Sequence, residues 1–140
     1  MRTHLAATIG TVALAATALA GAPAAQAQAQ AQAASAKRFH VAVGNTWTDG
    51  TVTFYNRSVL VEGVHKSVGA ASNLTCRTTL ATTVNAAGPM SSKRSGDIAC
   101  GNTKSFSFSV PADQPGGATA VEVCLTDANT TVLKCHVVFR

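Results

Sequence analysis

Hydrophobic and polar residues alternate along most of the chain after residue 36, which is the period of β-strands. The clearest run is residues 105–110, where Phe106, Phe108 and Val110 alternate with serines. Residues 118–140 contain two further runs separated by the turn-forming residues 127–130. The pattern therefore predicts several short strands, and the last two of them form a β-hairpin.

A turn centred between Asn129 and Thr130 in that hairpin sets Cys124 directly opposite Cys135. The two cysteines are then close enough for a disulfide bond if their pair is a narrow one. The same register puts the apolar residues of the two strands on different faces, because those of the second strand are Leu133, Val137 and Phe139. Either a bulge shifts the faces, or the pairing differs.

Residues 39–43 predict a first strand, and a loop over residues 44–50 follows, closed by an Asp49-Gly50 turn. We expect Trp47 in that loop to cover the edge of the sandwich. Residues 51–55 and 59–65 predict either a hairpin or one long strand, with a bulge at Gly63 in both cases.

The strand that follows carries its large apolar residues at even positions, which predicts that this face is buried: Leu74, Cys76, Leu80 and Val84. Small and polar residues predict an irregular surface loop over residues 85–97. The total is about seven strands without helical periodicity. We therefore expect an all-β fold, a small immunoglobulin-like antiparallel β-sandwich with two disulfides.

The N-terminal region differs in composition from the rest. A basic start, an alanine-rich apolar run and small-x-small sites predict a signal peptide over residues 1–27, with cleavage favoured at Ala25-Gln26-Ala27 and competing sites on either side. The Ala/Gln tract of residues 28–37 predicts a flexible arm, since it has little to bury. Residues 38–140 are left as the folded domain.

All four cysteines lie in the predicted mature chain, and an even count in a short exported protein predicts disulfides. Of three possible connectivities, we favour Cys76 with Cys100 and Cys124 with Cys135. The predicted location is therefore extracellular, with no membrane contact after removal of the signal peptide. The formal net charge of +5 comes from scattered bases, which argues against a nucleic-acid partner.

The sequence offers little that is typical of catalysis. Most acidic residues lie beside turns, and the histidines His40, His65 and His136 are separated and lack metal-ligand spacing. There is no Gly-x-Ser-x-Gly motif and no phosphate-binding loop. We therefore predict that the protein is not an enzyme and needs no cofactor or metal.

Two segments are candidates for binding another secreted protein. One is the end of the arm, where two bases and an aromatic residue follow the Ala/Gln tract: Lys37, Arg38, Phe39 and His40. The other is Lys93-Arg94-Ser95, which the Cys76–Cys100 bond would hold on the predicted loop. A basic residue on such a loop indicates an alternative function, inhibition of trypsin- or subtilisin-like proteases. A carbohydrate- or cell-wall-binding module is a second alternative.

The order of these segments, an alanine-rich signal, an Ala/Gln arm ending in Lys37-Arg38-Phe39-His40 and a two-disulfide sandwich, resembles the small adaptor subunit of actinobacterial umbrella toxin particles. The resemblance implies a non-catalytic bridge used in competition between bacteria. Its partners would be a lectin-bearing subunit with a degenerate trypsin-like domain and the repeat-containing stalk of a large toxin polypeptide. The arm would insert Lys37 or Arg38 into the trypsin-like cleft.

Overall fold

A computed structural model describes residues 36–140, and the predicted signal peptide and residues 28–35 of the predicted arm lie outside them. The described residues form eight β-strands: β1 (Lys37–Val43), β2 (Thr46–Phe54), β3 (Ser58–Lys66), β4 (Arg77–Asn85), β5 (Gly88–Arg94), β6 (Thr103–Pro111), β7 (Ala120–Asp127) and β8 (Val132–Phe139). Residues 36–140 include no helix that is long and apolar enough to cross a membrane.

The strands make two antiparallel four-stranded sheets. Sheet 1 has the order β1-β2-β3-β6, and sheet 2 has the order β5-β4-β7-β8. The chain changes sheet between β3 and β4, between β5 and β6, and between β6 and β7, as in immunoglobulin-like sandwiches. The predicted fold class, an all-β sandwich with two disulfides, is confirmed.

The core lies between the inner faces of the two sheets and is built from valine, phenylalanine and alanine. The alternating pattern of β6 correctly predicts which of its residues belong to the core, because Phe106, Phe108 and Val110 are buried and the serines between them are exposed. The largest contributions from β7 are Val121, Val123 and Leu125, none of which is exposed to solvent. Strand β8 adds only Val138 to this core.

The first hairpin differs from the prediction. The chain turns at Gly44-Asn45, with Gly44 at a φ of 56°, and residues 49 and 50 lie inside β2. Gly50 is paired with Phe39 on one side and with Gly63 on the other. The predicted turn at Asp49-Gly50 is therefore wrong, because this glycine serves the close approach of strands and not a reversal of the chain.

The β2–β3 hairpin through Asn56-Arg57 is the correct alternative of the two predicted. Its pairing is continuous from Trp47 to Phe54, so the bulge expected at Gly63 is absent from it. A methyl group on Gly63 would collide with the carbonyl oxygen of Asp49. Glycine is required at this position by the narrow space between the two strands.

The strand β4 buries the opposite face from the predicted one. Thr79, Ala81 and Thr83 point inward and are fully buried. Of the residues predicted to be buried, Cys76, which precedes the strand, is buried, whereas Leu80 and Val84 are half-buried and Leu74 is 64% exposed. The inward threonines are tolerated because their hydroxyls are hydrogen-bonded, for example from Thr83 to the carbonyl oxygen of Pro111 at 2.7 Å. Hydrophobicity alone therefore predicted the wrong face.

The irregular loop predicted over residues 85–97 is also wrong, because most of it forms the edge strand β5. Both predicted disulfides are present, between Cys76 and Cys100 and between Cys124 and Cys135. The β7–β8 pairing follows the predicted register from Ala120 to Leu125, and the register shifts only beside the turn. The predicted pairing was therefore right, and the two strands do carry most of their apolar residues on opposite faces of the sheet.

Candidate functional site

The outer face of sheet 2 carries many apolar residues, most of the exposed ones on β8. Because side chains alternate along each strand, the residues next to the buried ones in β4, β7 and β8 point outward. The pairing aligns them in rows: Leu80 with Cys124 and Cys135, Thr82 with Glu122 and Val137, and Val84 with Ala120 and Phe139. We call this surface, with the neighbouring Leu133, the outer apolar face.

Much of this face is open to solvent at its β8 side. Phe139 is 71% exposed, Val137 41% and Leu133 36%. An antiparallel sheet in a sandwich ordinarily presents polar side chains on its outer face. Sheet 2 instead has apolar residues on both faces. The apolar residues of β7 and β8 fall on opposite faces in the sequence, and those of β8 form an exposed apolar surface of the kind found at binding sites.

The Cys124–Cys135 bond lies on this face and joins β7 to β8, with Cα atoms 4.0 Å apart. The carboxylate of Glu122 lies within 4.8 Å of both sulfur atoms. These three residues resemble a metal-ligand set in spacing only, because both sulfurs are oxidised and neither is a thiolate. The bond fixes the edge strand that carries the exposed apolar residues.

The outer face of sheet 1 has a different character. His40 on β1 and Asp49 on β2 are paired residues, and His40 Nδ1 lies 3.0 Å from Asp49 Oδ2. Together with Trp47 and Val64 they line a shallow pocket of about 230 Å³. The ring centroids of His40 and Trp47 are 6.4 Å apart. The pocket combines one half-buried aromatic ring with an exposed polar pair.

A paired histidine and aspartate can also orient a general base. Within residues 36–140, the side chain of His40 bonds to Asp49, and no serine, threonine or cysteine lines the pocket beside them. The sequence prediction missed this pocket because it placed Trp47 in a loop. The Gly44-Asn45 dipeptide was the available signal, since a hairpin centred there pairs residue 40 with residue 49.

The four residues predicted to end the arm belong to the folded domain. Lys37, Arg38, Phe39 and His40 are the first four residues of β1, each paired with β2. Phe39 is only 3% exposed and is part of the core. The bases and His40 remain exposed, but Phe39 can be an anchor for a partner only if β1 detaches.

The second predicted segment lies at the end of β5 and not on an open loop. Lys93 is exposed, whereas Arg94 donates a hydrogen bond to the carbonyl oxygen of Ala128 at 3.3 Å. Ser95 is buried, and its hydroxyl accepts a hydrogen bond from the amide of Thr79 at 3.2 Å. The structure therefore does not offer this segment as a protruding loop for a protease cleft.

One histidine lies in the interior. His65 is fully buried, stacks on Phe106 with a centroid distance of 5.2 Å, and has Nδ1 3.2 Å from the hydroxyl of Thr79. Desolvation lowers the pKa of His65 to about 4, and the carboxylate of Asp97 acts in the opposite direction. Its Nε2 is buried without a hydrogen-bond partner among the described residues. The ring is neutral at physiological pH and acts as part of the core.

Comparison with known proteins identifies no family. No protein-family model and no curated protein sequence matches the chain. Among solved structures, the fold is similar to a crystal structure of an endonuclease/exonuclease/phosphatase from Beutenbergia cavernae DSM 12333, with a TM-score of 0.45 and 17% sequence identity. The match covers 74% of this chain and 27% of that chain. A similarity at this level carries no argument about activity.

Proposed function

We propose that this protein is a secreted, non-catalytic protein–protein interaction module that binds another extracellular protein through the outer apolar face. The observation that carries the proposal is the exposure of Phe139, Val137 and Leu133 on a sheet whose other face already forms the core. Covering such residues removes apolar surface from water, which is the main driving force of association. Two disulfides are typical of the oxidising environment that this role requires.

The sandwich also suits an adaptor. The two sheets pack face to face, so their outer faces point in opposite directions. A partner on the outer apolar face of sheet 2 would leave the His40–Trp47–Asp49 pocket of sheet 1 free. One small domain could therefore hold two partners at once, which is the geometric condition for bridging.

The resemblance to umbrella toxin adaptors supplies the proposed partners. In this role the protein would connect a lectin-bearing subunit, with its degenerate trypsin-like domain, to the repeat stalk of a large toxin polypeptide. The exposed bases Lys37 and Arg38 at the start of β1 are the side chains proposed to enter the trypsin-like cleft. The toxin assembly would act in competition between bacteria.

A carbohydrate-binding module is the second candidate, favoured by the pocket on sheet 1. Trp47 offers an aromatic surface on which the apolar face of a sugar ring can stack, and Asp49 and His40 offer hydrogen-bonding groups beside it. This function would use sheet 1 and leave the outer apolar face of sheet 2 unexplained.

The test is affinity purification of the tagged protein from the producer's culture supernatant, followed by mass spectrometry. Wild-type protein is compared with a Val137→Thr/Phe139→Ser double variant of the outer apolar face. The matched control is Thr51→Ser/Thr53→Ser on the outer face of sheet 1. We expect the repeat protein to be lost with the first variant while the lectin-bearing subunit is retained, and we expect both to be retained with the control.

Other outcomes assign the other functions. Retention of every protein partner by the Val137→Thr/Phe139→Ser variant would overturn the proposed binding face. Recovery of cell-wall glycans, lost on Trp47→Ala, would favour the carbohydrate-binding module. Recovery of a single active protease would favour an inhibitor.

A further inference from the structure

The outward edge of β8 carries backbone groups that no described strand pairs with. Cys124 and Cys135 have Cα atoms 4.0 Å apart, the spacing of a pair that does not exchange backbone hydrogen bonds. Further along, the amide of Arg140 donates to the carbonyl oxygen of Thr119 at 3.0 Å. Both observations indicate that the backbone groups of β8 alternate in direction, and that the N–H and C=O groups of its even-numbered residues bond to β7. The N–H and C=O groups of Cys135, Val137 and Phe139 therefore point away from it.

These outward backbone groups belong to the residues whose side chains lie on the outer apolar face. β8 is the outermost strand of sheet 2, and although β1 lies beside it, no backbone hydrogen bond joins the two among residues 36–140. An exposed edge strand with apolar side chains is a template for another strand. Main-chain hydrogen bonds and side-chain burial would both be gained at this edge.

The other edge of sheet 2 is protected against such pairing. Strand β5 contains Pro89, which has no amide hydrogen, and ends in Lys93 and Arg94. Prolines and lysines on edge strands are common devices against unwanted strand addition. β8 has no proline and one lysine in its sequence Val-Leu-Lys-Cys-His-Val-Val-Phe. The outward backbone groups of β8 therefore stay unpaired and unprotected by proline among the described residues.

We propose that β8 receives an extended segment of a partner protein as an added β-strand, and that this segment alternates apolar with acidic residues. The proposal rests on the proposed function and specifies how the partner binds. Apolar residues of the added strand would lie beside Val137 and Phe139 on the outer apolar face. Acidic residues on its other side would lie beside Lys134 and His136, which are exposed.

A second copy of this chain is a poorer occupant of the same edge. β8 contains Lys134 and His136 and no acidic residue. Antiparallel pairing of two β8 strands would bring the bases of both copies to the same side of the new sheet, where like charges repel. Charge complementarity thus favours an acidic partner strand over self-association.

The first experiment uses the isotope-labelled full chain without its signal peptide and a short synthetic peptide of alternating valine and glutamate. We expect the amides of Cys135, Val137 and Phe139 to gain protection from hydrogen exchange on binding, while those of even-numbered β8 residues are protected from the start. A peptide with lysine in place of glutamate is expected to bind at least about fivefold more weakly. Absence of new protection at millimolar peptide, or dimers formed through β8, would overturn the inference.

The second experiment removes one outward amide. Val137→Pro deletes that hydrogen-bond donor without touching the β7 side, and Val137→Ala is its matched control with a small side chain and an intact amide. Peptide binding by the proline variant is expected to be about fivefold weaker than by the alanine variant, the effect of about one backbone hydrogen bond. Equal binding by two variants that melt alike would contradict strand addition.

The same variants separate this inference from the proposed function. Culture partners that are recovered in clearly smaller amount with Val137→Pro than with Val137→Ala support strand addition. Partners that are kept with both, but lost with the Val137→Thr/Phe139→Ser variant, leave the interaction module standing and overturn strand addition. Partners that are kept with all of these variants overturn both.

Discussion

Gly50 lies directly opposite Gly63 on neighbouring strands of sheet 1, and a methyl group on Gly50 would lie 2.8 Å from the Cα atom of Gly63. The pair continues on either side to Phe39 and Phe106, whose rings belong to the core. The glycines therefore allow two strands to approach closely below a layer of aromatic rings.

Gly63→Ala is expected to lower the free energy of unfolding by about 1–3 kcal/mol, because the added methyl group meets main-chain atoms that cannot move independently. The matched control is Gly96→Ala, where the new methyl group has nothing within 4 Å. Urea denaturation of both variants measures the difference. Equal stability of the two would show that the strands can separate at little cost.

The alternating pattern was sufficient for the fold class, for β6 and for the β7–β8 hairpin with its disulfide. These elements were predictable because their buried residues are apolar and their partners are close in sequence. β4 and β5 were not. In β4 the inward positions hold threonines with satisfied hydroxyls, and in β5 only Met90 packs against the core. A strand with few apolar contacts gives little periodic signal.

The candidate surfaces were predictable in part. The split of apolar residues between two faces of the last hairpin was visible in the sequence and corresponds to the outer apolar face. The pocket on sheet 1 was not found, because it depends on a pairing between β1 and β2 that the misplaced turn concealed. Phe39 looked like an exposed aromatic anchor, since sequence does not show that β1 continues to Lys37.

A second prediction concerns that strand. Phe39→Ala is expected to cost about 3–5 kcal/mol of stability, because the ring is buried in the core. Arg38→Ala is its matched control, since Arg38 is exposed on the same strand, and it is expected to change stability by less than about 0.5 kcal/mol. Thermal unfolding followed by circular dichroism checks both. A stable Phe39→Ala variant would mean that β1 is dispensable and the arm longer than the structure indicates.

A third prediction concerns pH. The pKa of His65 is lowered to about 4 in the folded protein, first by desolvation, whereas an unfolded chain has a histidine pKa of about 6.5. The unfolded state therefore binds the proton more readily, and this contribution to stability is complete above about pH 6.5 and is lost as the pH falls towards 4. The loss is at most about 3 kcal/mol.

Denaturation between pH 4 and pH 7 tests this dependence, with His65→Phe as the variant that cannot titrate at this position. Phenylalanine keeps a ring against Phe106 but loses the hydrogen bond to Thr79. We expect the variant to be less stable at neutral pH and to show a flatter pH profile. An unchanged slope in the variant would assign the acid sensitivity to other groups.

A fourth prediction addresses protease inhibition. The wild-type protein is expected not to inhibit trypsin at micromolar concentration, because Arg94 is bonded to the carbonyl oxygen of Ala128 and Ser95 is buried. Inhibition is measured with a chromogenic substrate, and Arg94→Ala serves as the comparison. Inhibition by the wild type that disappears in the variant would mean that the end of β5 opens to reach the protease.

The last prediction compares neighbours on β8 that point in opposite directions. Val138 is 5% exposed and packs in the core, whereas Phe139 is 71% exposed on the outer apolar face. Val138→Ala is expected to lower the free energy of unfolding by about 2 kcal/mol, since it removes buried methyl groups and leaves a cavity. Phe139→Ala removes a larger side chain, yet it is expected to change stability by less than about 0.5 kcal/mol.

Chemical denaturation measures stability, and the partner capture described above measures binding for the same two variants. The expected pattern is opposite for the two residues: Val138→Ala reduces stability and retains the partner, and Phe139→Ala retains stability and loses the partner. A large loss of stability in Phe139→Ala would mean that its ring packs against the domain, and the outer apolar face would then be part of the fold. Because the two positions are adjacent on one strand, a general disturbance of β8 would affect both readouts alike.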